Sequence, residues 1–449
     1  MDEHISENEL SMFAFSPDAV LAERRWEITR HVGVCAECRA LHDCLIETEE
    51  DLRDIDVRER HVGSETYDSA MAHAARIAQE DREAEELVKP YIDNPALAAY
   101  KNLATQRNLL TAGVVRRFTA RSHDICENQP LDGLTLAEAA TVIADTLPEN
   151  AYAGKTVFEL RGAAHLQQAT SLMLLGQLPA ALEECTRAER AYKNLRSSGF
   201  GLACTALVRA GALYSQQRFE EATASAERAE HGFAHIGDDD RRMKAILLRG
   251  NIRIEAFDLE NAVTTFQHLI AYGESIDSAR WVAVGWSRLG DCEVLRGNLG
   301  EASMHYHNAL SHFRQHGPAN ERVSAEWGIA RVQLHGGRRT EAIRRLRDVV
   351  AEFEVLGILT DAAVASLDIA DGLLALGEVQ QIVGLASRLF RVFSDAEMLT
   401  GALTAIAYMK EAAAAGTLTP RDLRVVRQFL RRAELQPELL FVPPPAEGR

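Results

Sequence analysis

The sequence is poor in several features that would point to particular classes of protein. Its 449 residues include only 7 cysteines, 12 prolines and 6% aromatic residues. No uncharged apolar run reaches the roughly 18 residues of a membrane-spanning helix, so we expect no transmembrane segment. The N-terminal stretch MDEHISENEL is acidic and polar, unlike a secretory signal, and the irregularly spaced cysteines make no disulfide framework. These absences favour a soluble protein of the reducing cytoplasm.

The charge balance lacks the basic excess of a protein that wraps nucleic acid. Lys and Arg total 49 against 66 Asp and Glu, which gives a formal net charge of −17. A phosphate backbone is bound by Lys and Arg, which displace its counterions. Residues 1–60 hold 16 acidic and 7 basic side chains, a net −9 and over half of the acidic excess. We therefore expect no direct nucleic-acid partner and no membrane partner.

The residue pattern is helical almost throughout. Ala, Leu, Glu and Arg dominate, and apolar residues recur at three- and four-residue spacing without an alternating β-branched run. The sequence therefore predicts an all-α protein, and its length suits about three domains. The predicted divisions are an N-terminal module at 1–60, a charged helical linker at 61–95, helical repeats with a C-terminal cap at 96–435, and a Pro-rich tail at 436–449.

An internal repeat predicts the architecture of the larger part of the chain. A small or apolar residue after a turn recurs at intervals of 41, 40, 40, 40 and 40 residues, at Ala181, Ala222, Ala262, Ala302, Ala342 and Ile382. Twelve residues before each of them lies another small residue, at Ala169, Ala210, Gly250, Gly290, Ala330 and Ala370. Small residues allow two helices to approach closely, so we expect stacked helical hairpins that share one continuous core.

This repeat resembles the tetratricopeptide repeat (TPR) family. Leu289 and Gly290 match the Leu-Gly pair of the family, Tyr306 matches the aromatic position of the second helix, and Ala309 matches the later Ala. The resemblance covers about residues 130–400, with a period of 40 in place of the usual ~34 and without the closing Pro. It implies a TPR-like α-solenoid whose groove receives a protein or peptide.

Polar residues are expected along that groove. The position after the small residue of each first helix should face it, and this position holds Gly211, Asn251, Asp291, Arg331 and Asp371. Asn251, Asp291, Arg331 and Asp371 could hold a peptide backbone or a charged tail, with Tyr214, Trp327, Leu334 and Leu374 nearby. The alternative is that they are solvated polar positions on a surface that has to be soluble.

The most specific local pattern is HVGVCAEC, which contains His31, Cys35 and Cys38. A CxxC pair places two thiolates about one turn apart, and a His four residues earlier shares their face if the helix runs through it. A structural zinc ion prefers four N or S ligands in a tetrahedron. The pattern therefore predicts one structural Zn²⁺ and requires a fourth ligand.

The segment HISENEL…LAERRWEITRHVGVCAECRALHDCL resembles the zinc-binding anti-sigma domain family, whose pattern maps onto His4, His31, Cys35 and Cys38. The resemblance implies that His4 is the fourth ligand, with His42 and Cys44 as the alternatives. It also implies a small helical domain around one structural zinc that binds an extracytoplasmic-function sigma factor of bacteria. Many family members carry a transmembrane helix, which this sequence lacks. Two His and two Cys ligands also speak against a redox switch. Cys44 is either a resolving thiol or a packed apolar residue.

No enzyme motif accompanies these features. GxxxxGK[ST], GxSxG and HExxH are absent, and the CxxC lacks the strand–turn–helix context of a thioredoxin. A final helix after Thr419-Pro420 carries arginines that we expect to be solvated, at Arg421, Arg424, Arg427, Arg431 and Arg432. We predict a non-enzymatic regulator of transcription, whose zinc module binds a sigma factor and whose repeats receive a second protein. The alternative is a scaffold or adaptor with a purely structural zinc module and no sigma-factor partner.

Overall fold

The computed structural model describes residues 4–6, 9–10, 12–13, 20–35, 38–39, 42, 64–99, 103–147, 152, 154–195, 198–395, 400–435 and 439–444. Within these ranges the regular secondary structure is helical and no strand occurs, which confirms the all-α prediction. No helix in the described ranges combines the length and hydrophobicity needed to cross a membrane. The two interpretations of Cys44 lie outside the described residues.

The chain forms two compact units, residues 1–252 and 253–449. The helices that begin in the first unit are α1 Ala22–Val34, α2 Ser64–Asp93, α3 Ala112–Ile125, α4 Pro130–Thr146, α5 Gly154–Leu174, α6 Leu178–Tyr192, α7 Gly199–Ser215, α8 Phe219–Ile236 and α9 Asp239–Glu255. Those of the second unit are α10 Leu259–Ser275, α11 Ala279–Arg296, α12 Leu299–His316, α13 Ala319–His335, α14 Arg339–Val355, α15 Leu359–Leu376, α16 Val379–Asp395, α17 Thr400–Ala414 and α18 Pro420–Leu435.

The predicted repeat sets the packing within each unit. Consecutive helices pack against each other, α5 on α6 and α7 on α8 in the first unit, and α11 on α12, α13 on α14 and α15 on α16 in the second. All twelve small positions predicted from the period are buried. At Gly290 a Cβ atom would lie 2.8 Å from the ring of Tyr306, which is itself only 1% exposed. The absence of a side chain at Gly290 therefore leaves room for the ring of Tyr306 between the two helices.

The turns between the paired helices keep the same period. A residue in the left-handed region follows the first helix of each pair, at Gly176, Gln217, Phe257, Gly297, Gly337 and Gly377. Their intervals of 41, 40, 40, 40 and 40 residues repeat those of the buried positions. This conformation ends each helix, because it turns the following backbone N–H groups back toward the last carbonyl groups of the helix. After α11, for example, Asn298 N donates to Glu293 O at 2.8 Å.

The segment predicted as a charged linker contains α2, which packs into the first unit. Ala84 and Val88 are buried in one cluster with Phe118 of α3. Beside them the Nε of Arg116 donates to Asp81 Oδ1 at 2.9 Å, and both side chains are buried. A buried charge is tolerated where such a partner compensates for its lost hydration.

The last helix begins where the sequence predicts. Asp422 N donates to Thr419 Oγ1 at 3.3 Å and Thr419 N donates to Asp422 Oδ2 at 2.8 Å, a reciprocal cap for α18. Arg421, Arg424 and Arg431 are exposed, as predicted. The prediction of a solvated side chain is wrong for Arg427, whose guanidinium pairs with Asp368 and Asp371. The side chain of Arg432 is not among those described.

Candidate metal centre and groove residues

The end of α1 positions three of the four predicted metal ligands. His31 lies in the last turn of the helix, and Cys35 follows directly in extended backbone, with its N–H donating to His31 O at 2.8 Å. Side chains four residues apart on a helix share one face, so the imidazole of His31 and the thiol of Cys35 converge. Arg39 secures the helix end, because its guanidinium donates to Val32 O at 3.1 Å and to Gly33 O. Cys38 then returns to the same side.

The structure brings all four predicted ligands together. One ligand atom from each of His4, His31, Cys35 and Cys38 lies within 4.8 Å of the other three. Cys35 Sγ and Cys38 Sγ lie 3.5 Å and 3.6 Å from Nδ1 of His4. With Zn–S near 2.3 Å and Zn–N near 2.0–2.1 Å, a tetrahedral N–S edge measures about 3.6 Å. The spacing of these atoms therefore suits a zinc ion.

The surroundings of His31 also suit a metal. Its Nε2 atom is buried and has no hydrogen-bond partner among the described residues. A buried polar atom without a partner costs about 1–3 kcal/mol, and a bond to a metal ion would remove that cost. Cys38 is 4% exposed, whereas His4 is exposed. Of the two alternative fourth ligands, His42 instead lies against Phe13, with the ring centroids 5.4 Å apart and the ring planes tilted by 37°.

The predicted groove residues of the second unit form part of a charged ladder. Arg331 lies 3.8 Å from Asp291 and 3.9 Å from Asp368, between nitrogen and oxygen atoms. Arg427 then joins Asp368 at 2.8 Å and Asp371 at 2.6 Å. Three of the four predicted groove residues, Asp291, Arg331 and Asp371, are therefore linked through Asp368 and Arg427, neither of which was predicted to lie at the groove. Asn251 lies half-buried on α9 in the other unit.

The ladder is fixed by neutral donors as well as by charge. Trp327 Nε1 donates to Asp368 Oδ2 at 2.7 Å, and Tyr306 OH donates to Asp291 Oδ1 at 2.7 Å. Burial raises the pKa of Asp371, while the guanidinium of Arg427 acts in the opposite direction. These side chains are ion-paired and partly shielded from solvent. The one signal in the sequence was that Asp368 and Asp371, three residues apart, share a helix face.

A second polar cluster in the first unit was not predicted. His165 of α5 is 5% exposed, and its Nδ1 lies 2.7 Å from Glu184 Oε2, while its Nε2 lies 3.4 Å from Asp145 Oδ1. Burial lowers the pKa of His165, but hydrogen bonds and charge attraction from both carboxylates outweigh it and raise the pKa to about 9. Arg161 and Arg187 border the two carboxylates. The imidazolium therefore acts as a buried cation that joins α4, α5 and α6.

Comparisons with known proteins show the fold. No protein-family model and no curated protein matches the chain. Among solved structures, aspartyl phosphate phosphatase F from Bacillus subtilis matches with a TM-score of 0.52 and 14% identity, over 87% of this chain and 96% of that one. A Rap protein complexed with competence and sporulation factor gives a TM-score of 0.46 and 14% identity, over 94% and 99% of the two chains. A signal-transduction ATPase with a tetratricopeptide repeat sensor, from Pyrococcus horikoshii, gives 0.45 and 10%, over 96% and 72%.

Proposed function

We propose that this chain is a non-enzymatic, cytoplasmic adaptor in which TPR-like repeats bind a protein or peptide partner and one structural zinc ion holds the N-terminal module together. The observation that carries the proposal is the convergence of His4, His31, Cys35 and Cys38 at tetrahedral spacing. Four protein ligands close the coordination sphere, whereas catalytic zinc keeps one position for water or substrate. The site is therefore suited to folding rather than to chemistry.

The need for a metal follows from the small size of the module. A domain of about 60 residues buries too little surface to be robustly stable alone. Zinc would be held by two imidazole nitrogens and two thiolates, and its binding free energy would add to that of folding. The described cysteines form no disulfide, which suits a reducing compartment where thiols remain available to a metal.

The partner surface is proposed to lie at the charged ladder of the second unit. The side chains of Arg331 and Asp371 are 24% and 30% exposed, so each can make a further hydrogen bond. Residues fixed by ion pairs lose little conformational entropy on binding. The ladder would thus offer an ordered row of alternating charges to a peptide of mixed charge.

A sigma factor is the second candidate partner, and the ligand pattern is what favours it. The zinc-binding anti-sigma resemblance rests on the same four residues that the structure brings together. The net −9 charge of residues 1–60 would also complement a basic partner surface and speed its association. Transcription regulation in a bacterial cell would follow if this partner binds.

Metal content tests the zinc proposal. We expect elemental analysis of the purified chain to give one zinc per molecule, and His31→Ala to lose most of it, because the variant removes one of the four ligands that close the coordination sphere. His42→Ala is the matched control: it also removes an imidazole from the N-terminal module but should keep the zinc. A metal-free wild-type chain with a folded module would contradict the proposal.

Partner recovery separates the two candidates. The tagged full-length chain and its Cys35→Ser/Cys38→Ser variant are each used to capture proteins from host extract, which are then identified by mass spectrometry. A sigma factor recovered by the wild type and lost with the variant would support the regulator. If no sigma factor is recovered and the captured partner is instead lost with an Arg331→Ala/Asp371→Ala variant, the adaptor without a sigma-factor partner is supported.

A further inference from the structure

The apolar side of the N-terminal module is buried against the repeats of the first unit. Leu10 and Ile28 are 0% exposed, although the described part of the module is short. From the module, the shared apolar cluster includes Ile5, Leu10, Val20, Ile28, Val32 and Cys38. From α7, α8 and α9 it includes Ala203, Ala206, Ala229, Phe233, Ile236 and Ala245, with Phe200, Cys204 and Leu207 packed beside it. The module and the repeats therefore share one core.

The covered surface includes the helix face on which the groove was predicted. Cys204, Leu207 and Gly211 follow one another at spacings of three and four residues along α7. Residues at this spacing lie on one face of a helix. Gly211 is a predicted groove position, so the module packs beside the N-terminal half of the face that carries it.

The opposite side of α1 is attached to the first helices of the same unit. α1 packs on α2, and the carboxylate of Glu23 lies 3.9 Å from the guanidinium of Arg117 on α3. Ile28 and Val32, which α1 contributes to the core shared with α7 to α9, are five and nine residues from Glu23 and so lie on the other side of the helix. Such a placement blocks access to the covered face for any other chain.

The metal ligands take part in this contact. Cys38 belongs to the buried cluster, and Cys35 packs against it. His4 is next to Ile5, another member, and lies 3.5 Å from Cys35 between Nδ1 and Sγ. Loss of the metal would disconnect the residues around His4 from the end of α1. Both segments contribute apolar side chains to the contact with the repeats, so this loss would weaken the contact.

We propose that the N-terminal module is a metal-dependent intramolecular occupant of the α7–α9 face, and that loss of the metal releases it and uncovers that face. The inference rests on the zinc proposal above for its trigger, but the docking itself stands on the shared core. A partner that binds this face would have to compete with the module. Metal occupancy would then control access to the first unit.

Hydrogen exchange measured by mass spectrometry tests the release. The full-length chain is compared with excess zinc and with a zinc chelator, and exchange is read in 199–215, 219–236 and 299–316. At free zinc 100 times its Kd, opening that requires metal loss becomes about 100-fold rarer. We expect chelation to speed exchange in 199–215 and 219–236 by up to about 100-fold. Exchange in 299–316 of the second unit should not change, and this segment serves as the reference.

A pair of leucine variants tests the docking without touching the metal ligands. Leu207→Glu places a charge in the contact, whereas Leu247→Glu alters the half-buried leucine one period later, which is not part of the apolar cluster. We expect Leu207→Glu to speed exchange in 22–34 and 219–236 even with zinc present, and Leu247→Glu to leave 22–34 protected.

The outcomes separate the inference from the zinc proposal. If the chain binds zinc but chelation leaves exchange in 199–215 and 219–236 unchanged, metal-dependent release is wrong and the zinc site stands. If no zinc binds, the zinc proposal and the trigger are both wrong. If hydrogen exchange in 22–34 is equally slow in the Leu207→Glu and Leu247→Glu variants, the proposed docking itself is wrong.

Discussion

His165 shows how a single buried residue can carry a measurable pH dependence. Its imidazole lies between Glu184 and Asp145, and the pKa is raised to about 9 from an ordinary value of 6.5. A group whose folded pKa exceeds its unfolded pKa stabilises the fold while it is protonated in both states. Its stabilisation is therefore fully present below pH 6.5 and is lost as the pH rises through 9.

We predict that His165→Gln removes this pH dependence. The wild type should exceed the variant by up to about 3 kcal/mol in free energy of unfolding near pH 6, since each pKa unit corresponds to about 1.4 kcal/mol. The difference should shrink between pH 6.5 and 9, as measured by urea unfolding of the first unit. His231→Gln, on the exposed side of α8, is the control for loss of an imidazole. An equal difference at pH 6 and pH 9.5 would disprove the assignment.

At the scale of the element, the turn after α11 allows the effect of backbone conformation to be measured without a change in packing. Gly297 adopts φ +83°, and a Cβ atom added there would meet nothing within 4 Å. At Gly300, three residues later in the first turn of α12, an added Cβ atom would also meet nothing within 4 Å, but the backbone lies outside the left-handed region. The same substitution at these two positions therefore tests opposite backbone preferences.

We predict opposite signs for the two alanine variants. Gly297→Ala should lower the free energy of unfolding by about 1 kcal/mol, because a left-handed residue with a Cβ is strained. Gly300→Ala should raise it by about 0.5–1 kcal/mol, because alanine loses less entropy in a helix. Denaturant unfolding followed by the tryptophans of the second unit measures both. If both variants shift in the same direction, the turn assignment is incorrect.

The elements also show which parts of the structure the sequence could predict. The repeat was predictable because a buried small position such as Ala302 recurs every 40 residues, and the same period places the turn residues. The convergence of His31, Cys35 and Cys38 was predictable because they are close in sequence and their spacing is typical of zinc ligands.

Contacts between distant residues could not be predicted in the same way. Arg427 meets Asp368 across 59 positions, and neither residue belongs to the repeat pattern. The docking of the module on α7 depends on apolar residues that any buried helix face would contain. His165 likewise acquires its role only when α4 and α6 bring carboxylates to it. Such partners are selected by tertiary packing, which leaves little trace in local spacing.

For the whole molecule, the division into two units allows the effect of zinc to be localised. The four candidate ligands and the core that they share with α7–α9 lie within residues 1–252. Trp26 of α1 is 51% exposed and is the one tryptophan of the first unit, whereas Trp281, Trp286 and Trp327 belong to the second. Fluorescence can therefore report on the two units separately.

We predict that chelation lowers the stability of the first unit more than that of the second. A ligand at 100 times its Kd stabilises the state that binds it by about 2.7 kcal/mol, so removing zinc should lower the denaturant midpoint of the Trp26 signal. The Trp26→Phe variant reports on the second unit alone, and subtracting its fluorescence from that of the wild type isolates Trp26. The Cys35→Ser/Cys38→Ser variant should show the lower midpoint with or without chelator. A Trp26 midpoint that chelation leaves unchanged would mean that the metal, if bound, does not stabilise the core that the N-terminal module shares with the repeats.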